Sequence, residues 1–262
     1  MFDKTSWKPS KYQPAGSGWA ISRDPAQLNP ASTVSANLAL TATLDALRDH
    51  ACGDFADFGC GTAPFFGAYR GLVDTVCWVD WPSSPHETRH LDVIADLNQQ
   101  VPIETASFDT IFTSSVLEHI WKHDVFLDEI ARTLRPDGKL ILVVPFLYWL
   151  HEEPHDYFRW TKYALAKACE ERGLEVRWLE PYGGGIDVLI DLSMRALASV
   201  SMRVAGWLAR PLAKLLVMPR IAKLGGAAKA KLPLGYVLVA QKPAQASVVI
   251  GVSPQSDRDI PR

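Results

Sequence analysis

One short stretch joins an apolar strand to a glycine turn, an arrangement that can hold a ligand at the edge of a parallel sheet. Asp54 to Phe58 is predicted as the end of a buried strand, and Gly59 and Gly61 follow it directly. Such a turn requires glycine because a Cβ atom would block a close ligand and forbid the backbone dihedrals. The stretch therefore predicts a ligand site at the carboxyl end of this strand.

The residues around the turn narrow the class of ligand. A dinucleotide site needs Gly-x-Gly-x-x-Gly, but the sixth position here is Pro64, and the chain has no phosphate loop ending in Gly-Lys-Ser/Thr. Asp57, just before the turn, would repel phosphate and attract a cationic amino acid group. These features favour S-adenosylmethionine, which carries adenosine and a positive amino acid moiety but no phosphate. An NAD site is the disfavoured alternative.

Acidic residues at the ends of the next two predicted strands extend this site. Asp80 lies about twenty residues after the turn, where the carboxylate of a βαβ unit meets the ribose hydroxyls. Trp81, beside it, is expected to flank the adenine or to pack within the domain. Asp96, after the third apolar run, is placed to accept a hydrogen bond from the adenine amino group.

A polar loop over residues 147–161 is the candidate acceptor site. It carries His151 and His155 among acids and aromatic residues, and loops at this end of an α/β sheet form substrate sites. Either histidine is expected to deprotonate an acceptor hydroxyl; the alternative is a structural loop that closes over the cofactor. The same residues spell His-Glu-x-x-His, but Pro154 disfavours the helix that a zinc protease needs. No metal site is predicted.

The composition limits the partners and the compartment. The chain has 262 residues, 48% of them hydrophobic, and a net charge of −2, so it can form a sizeable core and has no overall field that favours nucleic acid. No basic groove with interleaved aromatic residues precedes residue 186, and nucleic acid is not an expected partner. Four cysteines without Cys-x-x-Cys spacing, and an N-terminus without an apolar signal segment, predict a cytoplasmic protein.

Hydrophobic patterns predict the elements that position these residues. Further strands are predicted at 74–79, 91–97, 107–115, 139–146, 174–179 and 234–240. Helices are predicted at 31–51, 63–72, 116–134 and 162–172. The sequence from Arg135 to Gly138 predicts a turn, and the apolar run 139–146 after it is typical of a central parallel strand.

Two terminal segments lie outside this alternation of strands and helices. Residues 1–30 are rich in Pro, Gly, Ser and aromatic residues, and are expected to pack on the domain as an arm or to cover the ligand cleft as a lid. Residues 31–242 are predicted to form the main domain. Residues 243–262 have little apolar periodicity and are predicted to be a disordered tail.

An insertion, residues 186–231, separates the sixth and seventh predicted strands. It carries eight Lys or Arg residues against two Asp, a net charge of +6. If 186–209 is one helix, its charged residues share one side: Asp191, Arg195, Arg203 and Arg210. Its apolar residues lie largely elsewhere: Leu189, Leu192, Val200 and Trp207. Pro211 is predicted to end this helix. The pattern predicts contact with the inner face of a membrane, or a cap or homodimer surface.

Several motifs in order resemble a class I S-adenosylmethionine-dependent methyltransferase of the methyltransferase type 11 group, over about residues 50–185. They are Asp57-Phe58-Gly59-Cys60-Gly61, Asp80, Ala95-Asp96-Leu97-Asn98, Phe108-Asp109-Thr110-Ile111 with Leu117-Glu118-His119, and Leu134-Arg135-Pro136-Asp137-Gly138-Lys139-Leu140. One departure is Ala63, where the family usually has a third glycine.

The resemblance implies an α/β, Rossmann-like fold. Its seven-stranded sheet would be mostly parallel, with an antiparallel last strand and helices on both faces, and the helical insertion would lie between strands 6 and 7. It also implies the cofactor contacts. Gly59 and Gly61 would pass under the methionine part, Asp80 would bind the ribose, Asp96 with Leu97 would bind the adenine, and Ser114 would lie near the sulfonium.

The function predicted from these features is methyl transfer from S-adenosylmethionine to a small-molecule or glycan acceptor. If the insertion contacts a membrane, a lipid-linked acceptor is also expected. Some related methyltransferases carry a segment similar to His-Glu-x-Pro-His-Asp-Tyr-x-Arg and are associated with glycan or small-molecule modification. A non-catalytic scaffold with the same fold is the main alternative, because fold alone does not establish activity. An NAD-dependent oxidoreductase is less favoured.

Overall fold

The computed structural model describes residues 4–82, 90–216, 218 and 229–244, and the predicted tail lies outside this part from residue 245 onward. The strands in the described part are β1 (Tyr12–Ala15), β2 (Gly18–Ile21), β3 (Asp54–Phe58), β4 (Thr75–Asp80), β5 (Val93–Ile94), β6 (Phe108–Ser114), β7 (Leu134–Pro145), β8 (Glu175–Tyr182) and β9 (Gly235–Gln241). The helices are α1 (Thr33–His50), α2 (Phe66–Tyr69), α3 (His123–Thr133), α4 (Lys162–Glu170), α5 (Gly185–Val200) and α6 (Met202–Leu216).

Seven strands form one sheet in the order β5-β4-β3-β6-β7-β9-β8, and β1 and β2 form a separate hairpin. The strands from β5 to β7 pair in parallel, whereas β9 runs antiparallel to both of its neighbours. The predicted fold class is therefore confirmed. After β3 the chain builds the sheet outward through β4 and β5, then returns to add β6 on the other side of β3. Ligands bind at such a reversal of strand order, beyond the carboxyl ends of the strands.

The two faces of the sheet form separate apolar layers because successive side chains of a strand point to opposite sides. Phe55, in β3, packs in the layer that contains α1 and α2. Its neighbour Ala56 packs in the layer that contains α3 and α4. Both layers are buried, so the central strands are apolar throughout, as the sequence pattern indicated.

Three predicted elements are shorter in the structure, and one of them, the helix predicted at 116–134, is limited to α3 and a preceding 3-10 turn. The helix predicted at 63–72 is limited to α2, because Ala63 has a φ of +48°, which no right-handed helix accommodates. The strand predicted at 91–97 is limited to β5. The Asp96 carboxylate accepts a hydrogen bond from the Asn98 backbone N–H at 2.9 Å and bends the chain away from the sheet.

The turn predicted from Arg135 to Gly138 lies inside the long strand β7. Leu134 pairs with Phe108, but the next register pair joins Lys139 to Thr110, so the residues between them form a bulge. Asp137 in this bulge has a φ of +64°. The turn residues therefore bend the strand without ending it.

The insertion differs from its prediction in two ways. Its first helix ends earlier than predicted, because α5 stops at Val200 and the extended Ser201 (φ −151°) separates it from α6. Pro211 lies inside α6 and does not end it. The charged residues that were predicted to share one side are not all exposed, since Asp191 and Arg195 are 0% and 4% exposed.

Asp191 and Arg195 face inward because together they connect α5 to the rest of the domain. Arg195 Nε donates to Asp191 Oδ2 at 2.6 Å, and the Ser35 backbone N–H in α1 donates to Asp191 Oδ1 at 3.2 Å. The Arg195 guanidinium also lies over the rings of Tyr148 and Trp149, at 4.2 and 4.6 Å from their centroids. The pair thus joins the insertion to α1 and to the predicted acceptor loop.

None of the helices in the described part of the chain combines the length and apolar character needed to cross a bilayer. The inner side of α5 and α6 instead packs on α1. Val34, Met194, Ala209 and Leu216 form the buried centre of this contact.

Replacing Asp191 with Ala should lower the free energy of unfolding by about 3–5 kcal/mol, because it leaves the buried Arg195 without its partner. The control is Asp45→Ala, which removes an exposed ion pair with Arg48. This change should cost less than about 1 kcal/mol. Urea unfolding measured by circular dichroism compares the two, and equal losses would show that the buried pair does not anchor the insertion.

Candidate functional site

The glycine turn follows β3 and is tied to the neighbouring strand. The backbone N–H groups of Gly59 and Cys60 donate to the Val79 carbonyl at 2.8 and 3.2 Å. Gly59 has a φ of +73° and Gly61 a φ of +53°, the left-handed region that glycine enters without strain. A Cβ atom at Gly59 would also overlap the side chain of Val116. Backbone conformation and packing therefore both require glycine at position 59.

Ala63 occupies a left-handed conformation that usually belongs to glycine. Its φ is +48°, its side chain is fully buried, and its N–H donates to the Cys60 carbonyl at 2.7 Å. An L-residue pays about 1–2 kcal/mol for this region. The left-handed conformation at position 63 therefore gives a physical reason why the family that the motifs resemble usually has glycine there.

Two buried carboxylates flank the turn. Asp57 is 3% exposed and accepts a hydrogen bond from the Tyr69 hydroxyl at 2.8 Å. Burial raises the pKa of Asp57 to about 7; the Tyr69 hydrogen bond opposes this rise and the charge of Asp80 adds to it. Asp80 is 8% exposed and accepts from the backbone N–H groups of Gly61 and Trp81, both at 2.8 Å. The structure thus brings these predicted residues together.

His90 also lies at the turn, although the sequence analysis did not single it out. Its Nε2 lies 2.8 Å from the Gly61 carbonyl oxygen, and its ring contacts Trp78 edge-on at 5.4 Å. The chain comes back to the turn after β4, and no motif or periodicity marks a single histidine in such a connection. Only the tertiary contact identifies it.

The residues predicted to bind adenine lie beside the end of β4. The Ala95 N–H donates to the Asp80 carbonyl at 2.9 Å, which places Asp96 and the buried Leu97 close to the turn. The Asp96 carboxylate accepts from Asn98, and from Gln99 Nε2 at 3.0 Å. Burial would raise the pKa of Asp96, but these hydrogen bonds outweigh it and lower the pKa.

Ser114 ends β6, which pairs directly with β3, the strand that leads into the turn. The next residue, Ser115, has a φ of +56°, and its N–H donates to the Val143 carbonyl at 2.9 Å. Val116 then packs on Gly59. Ser114 therefore lies at the carboxyl edge that also carries the glycine turn, as the resemblance implied, and its role toward the sulfonium stays a prediction.

The N-terminal arm packs its aromatic residues on the same turn. Trp7 Nε1 donates to the Ala63 carbonyl at 3.1 Å, and the hydroxyls of Ser10 and Thr62 are 3.1 Å apart. The Tyr12 ring lies 4.5 Å from that of Phe65. The arm is thus part of the packed domain next to the predicted cofactor site, and its action as a lid stays a prediction.

The predicted acceptor loop is held by an internal ion pair. Arg159 donates to both oxygens of Asp156, at 2.5 and 2.7 Å, and to the carbonyl of Trp149 at 2.8 Å. Burial would raise the pKa of Asp156, but the hydrogen bonds from Arg159 and from the His151 N–H outweigh it and lower the pKa to about 2. The segment that carries the two histidines therefore has a defined shape.

The loop separates the two predicted catalytic histidines. The His155 ring lies 5.3 Å from the ring of Trp81, beside the predicted ribose site, and its Nδ1 lies 2.9 Å from the Tyr157 hydroxyl. His151 instead turns toward His119, with ring centroids 4.7 Å apart. Burial lowers the pKa of His151, but the neighbouring carboxylates Glu118 and Asp156 outweigh it and raise the pKa.

The His-Glu-x-x-His sequence does not form the helix that a zinc protease uses. Residues 147–161 contain no helix, and the next helix, α4, begins at Lys162. The side chain of Thr161 caps that helix by accepting from the Ala164 N–H at 3.2 Å. The protease alternative is therefore excluded on geometry.

Comparisons with known proteins agree with this geometry. Residues 56–142 match the family model described as a methyltransferase domain. The structure resembles that of an S-adenosylmethionine-dependent methyltransferase from Archaeoglobus fulgidus, with 16% identity, a TM-score of 0.50, and 78% of this chain and 94% of that chain covered. The comparison with curated sequences produced no match.

A second similar structure belongs to a protein that is named for a different reaction. The [4+2]-cyclase SpnF is 16% identical, with a TM-score of 0.52 over 90% of this chain and 87% of that one. At this identity the likeness concerns the fold, and the name of that protein describes a cyclase. The reaction of this chain must therefore be argued from its motifs and its own site residues.

The turn itself can be tested by Gly59→Ala, which should lower the free energy of unfolding by about 2–4 kcal/mol. The left-handed φ and the overlap with Val116 both contribute to this loss. Gly71→Ala is the control, because no atom lies within 4 Å of a Cβ placed there. That change should shift stability by less than about 0.5 kcal/mol in urea unfolding. A tolerated Gly59→Ala would contradict the described turn.

Proposed function

We propose that this chain, which contains a class I S-adenosylmethionine-dependent methyltransferase domain as its motifs predicted, methylates a hydroxyl group of a small-molecule or glycan acceptor. One contact carries the proposal. The ring of His155, in the acceptor loop, meets Trp81, which directly follows the predicted ribose-binding Asp80. An acceptor bound by this loop would thus lie at the edge of the cofactor site.

The carboxylates at the turn suit a cationic ligand better than a phosphate. Asp57 and Asp80 are both buried; the Asp80 carboxylate contacts the backbone of the turn, and Asp57 precedes the turn by two residues. Two nearby carboxylates disfavour a pyrophosphate and favour a positively charged amino acid group. This chemistry supports S-adenosylmethionine as the ligand and argues against NAD.

Each cofactor residue has a proposed role that its position supports. Gly59 and Gly61 would let the methionine part approach the backbone, and Asp80 would accept from the ribose hydroxyls. Asp96 and Leu97 would contact the adenine, and Ser114 would lie toward the sulfonium. When bound, S-adenosylmethionine supplies an electrophilic methyl group and leaves as S-adenosylhomocysteine, with the electron pair of the broken C–S bond on sulfur.

The acceptor loop would position the hydroxyl and receive its proton. His155 lies nearest to the predicted cofactor edge, and Tyr157 orients its ring through Nδ1. We assign His155 as the base, because histidine is the side chain that most often accepts a proton from a reacting hydroxyl. The ion pair of Asp156 and Arg159 fixes the loop, so positioning would supply much of the rate enhancement.

Titration calorimetry with S-adenosylmethionine, S-adenosylhomocysteine and NAD tests the cofactor assignment. We expect micromolar binding of the first two ligands and none of NAD. Asp80→Ala should weaken binding at least about 10-fold, because it removes the ribose acceptor. Asp74→Ala, at an exposed position just before the same strand, should leave the affinity unchanged.

Three outcomes would contradict the assignment. Unchanged affinity in Asp80→Ala would remove the ribose role of that residue. Binding of NAD alone would favour the oxidoreductase. Absence of binding by all three ligands would favour the non-catalytic scaffold.

The surface of the insertion supports a second, finer proposal about the acceptor. Large apolar side chains of α5, α6 and the adjoining residue are exposed to solvent. They are Ile186, Leu189, Leu192, Val200, Met202, Val204, Trp207, Leu215 and Met218. Val200 is 85% exposed and Trp207 77%, and an exposed apolar surface of this extent usually contacts a membrane or a partner.

The charge around this surface favours an anionic bilayer as the occupant. Arg203 and Lys214 are exposed on α6, and the buried Asp191 and Arg195 neutralise each other. The insertion therefore presents apolar and cationic groups together, which is typical of segments that lie in a bilayer interface. A homodimer through the same surface is the alternative.

The acceptor loop also exposes apolar side chains, and one of them contacts α5. Trp149 and Leu150 are 42% and 65% exposed, and Trp149 stacks on Arg195 of α5. A bilayer against α5 and α6 would thus lie next to the proposed acceptor site. We infer that the acceptor is a lipid-linked molecule whose polar part reaches the loop.

Vesicle sedimentation tests the membrane proposal. The wild type should bind phosphatidylcholine vesicles that contain about 30 mol% phosphatidylserine more tightly than vesicles of pure phosphatidylcholine, because the anionic lipid attracts the exposed cations. Leu189→Glu with Trp207→Glu should reduce this binding at least about 10-fold, because charged groups resist interfacial burial. Tyr163→Glu, at an equally exposed aromatic residue on α4, should bind as the wild type does. The homodimer would be favoured if the wild type binds no vesicles and is a dimer in solution, whereas the double variant is a monomer.

A further inference from the structure

Three side chains that the proposed methyl transfer does not use converge beside the acceptor loop. Glu118 and His119 lie in the short 3-10 turn after β6, and His151 comes from the loop after β7. One donor atom of each residue lies within 4.8 Å of the other two. No metal site was predicted from the sequence, because His151 lies about 30 positions after Glu118 and His119 and in a different motif.

The Glu118 carboxylate is buried without a hydrogen bond. The residue is 0% exposed, and neither of its carboxylate oxygens has a hydrogen-bond partner among the described residues. A carboxylate removed from water is strongly disfavoured unless a cation or several donors compensate its charge. The nearest groups that could do so are the two histidine rings.

Both histidines direct an unprotonated nitrogen toward Glu118. His119 Nδ1 lies 2.8 Å from the His155 carbonyl oxygen, which can only accept, so this nitrogen carries the proton. His151 Nδ1 lies 3.1 Å from Asp156 Oδ2 and 3.2 Å from the Trp149 carbonyl oxygen, which are also acceptors. In the neutral rings, Nε2 of each histidine therefore presents a lone pair.

When both rings are neutral, the inward atoms are therefore two lone-pair nitrogens and a carboxylate. Each Nε2 lies 3.7 Å from Glu118 Oε1, which is too long for a hydrogen bond. Ligands around a tetrahedral zinc ion lie about 3.4 Å apart, given metal–ligand distances of about 2.1 Å. The cluster therefore has nearly the spacing of a metal site.

We propose that Glu118, His119 and His151 bind one divalent transition-metal ion. Two imidazoles and one carboxylate suit Zn²⁺, Mn²⁺ or Co²⁺. The outer contacts are those of metal ligands, since a carbonyl orients His119 and the Asp156 carboxylate orients His151. Glu152 Oε2 lies 3.9 Å from His119 Nε2, at the exposed side of the cluster.

A bound ion would keep one further coordination position at the exposed side of the cluster, next to the acceptor loop. Glu152, water or the acceptor oxygen would occupy that position. A hydroxyl bound there would lose its proton more readily. This role rests on the proposed function, whereas metal binding itself does not. The proposed site also divides the His-Glu-x-x-His segment, because His151 lies in the cluster with His119, whereas His155 lies outside the cluster.

Calorimetric titration of the chelator-treated full-length chain with ZnCl₂, and separately with MnCl₂, tests the site without cofactor or acceptor. We expect one bound ion per chain. Glu118→Gln, His119→Gln and His151→Gln should each weaken binding by about 10-fold or more. His155→Gln is the discriminating control and should change the affinity less than about 3-fold, since only the backbone of His155 contacts the cluster through His119.

A measurement that needs no variant completes the test. The visible spectrum of the wild type loaded with Co²⁺ should show the absorption of nitrogen- and oxygen-ligated cobalt. Absence of Zn²⁺, Mn²⁺ and Co²⁺ binding by the wild type would overturn the proposal. Zinc binding that His155→Gln abolishes and Glu118→Gln retains would overturn it as well. Failure of S-adenosylmethionine binding would leave the metal result unaffected, so the two proposals can fail separately.

Discussion

The left-handed turn after β3 is the constraint on which the site depends. Gly59 can pass beneath Val116 only because it lacks a Cβ atom, and its N–H bonds to the Val79 carbonyl of the neighbouring strand. That contact brings the end of β4, with Asp80, against the backbone of Gly61. One backbone conformation therefore places the two flanking carboxylates, and the N-terminal arm packs on the same turn. The strained φ of Ala63 shows that the fold maintains this path even without a third glycine.

Two Arg–Asp pairs extend this order to the loops. Asp156 and Arg159 shape the acceptor loop, and the buried Asp191 and Arg195 join α5 to α1 and to the aromatic residues at the start of that loop. Buried pairs of this kind add little net stability but impose a specific arrangement. Here the arrangement turns the charged residues of α5 inward, and the apolar residues are left to face solvent.

The sheet and the cofactor side could be predicted from the sequence because their signals are local. The apolar runs, the glycine turn and Asp80 each lie in one short segment, and the structure brings them together as expected. The polarity of the insertion could not be predicted in this way. Helical periodicity identifies two sides, but only the contacts of Asp191 with Ser35 decide which side is buried. Ala63 likewise shortened α2 through a backbone conformation that residue type does not reveal.

The acceptor side illustrates the same limit more sharply. His151 and His155 form one familiar sequence motif, yet the structure directs one toward Glu118 and the other toward Trp81. The cause is the loop itself, since the Asp156–Arg159 pair bends the segment where a helix would place both rings on one face. The fold is similar to that of a [4+2]-cyclase, so the fold alone does not select a reaction. The proposed chemistry of this chain therefore rests on the two groups that the loop separates: His155, proposed as the base beside the predicted cofactor site, and the cluster around Glu118 that we propose binds a metal ion.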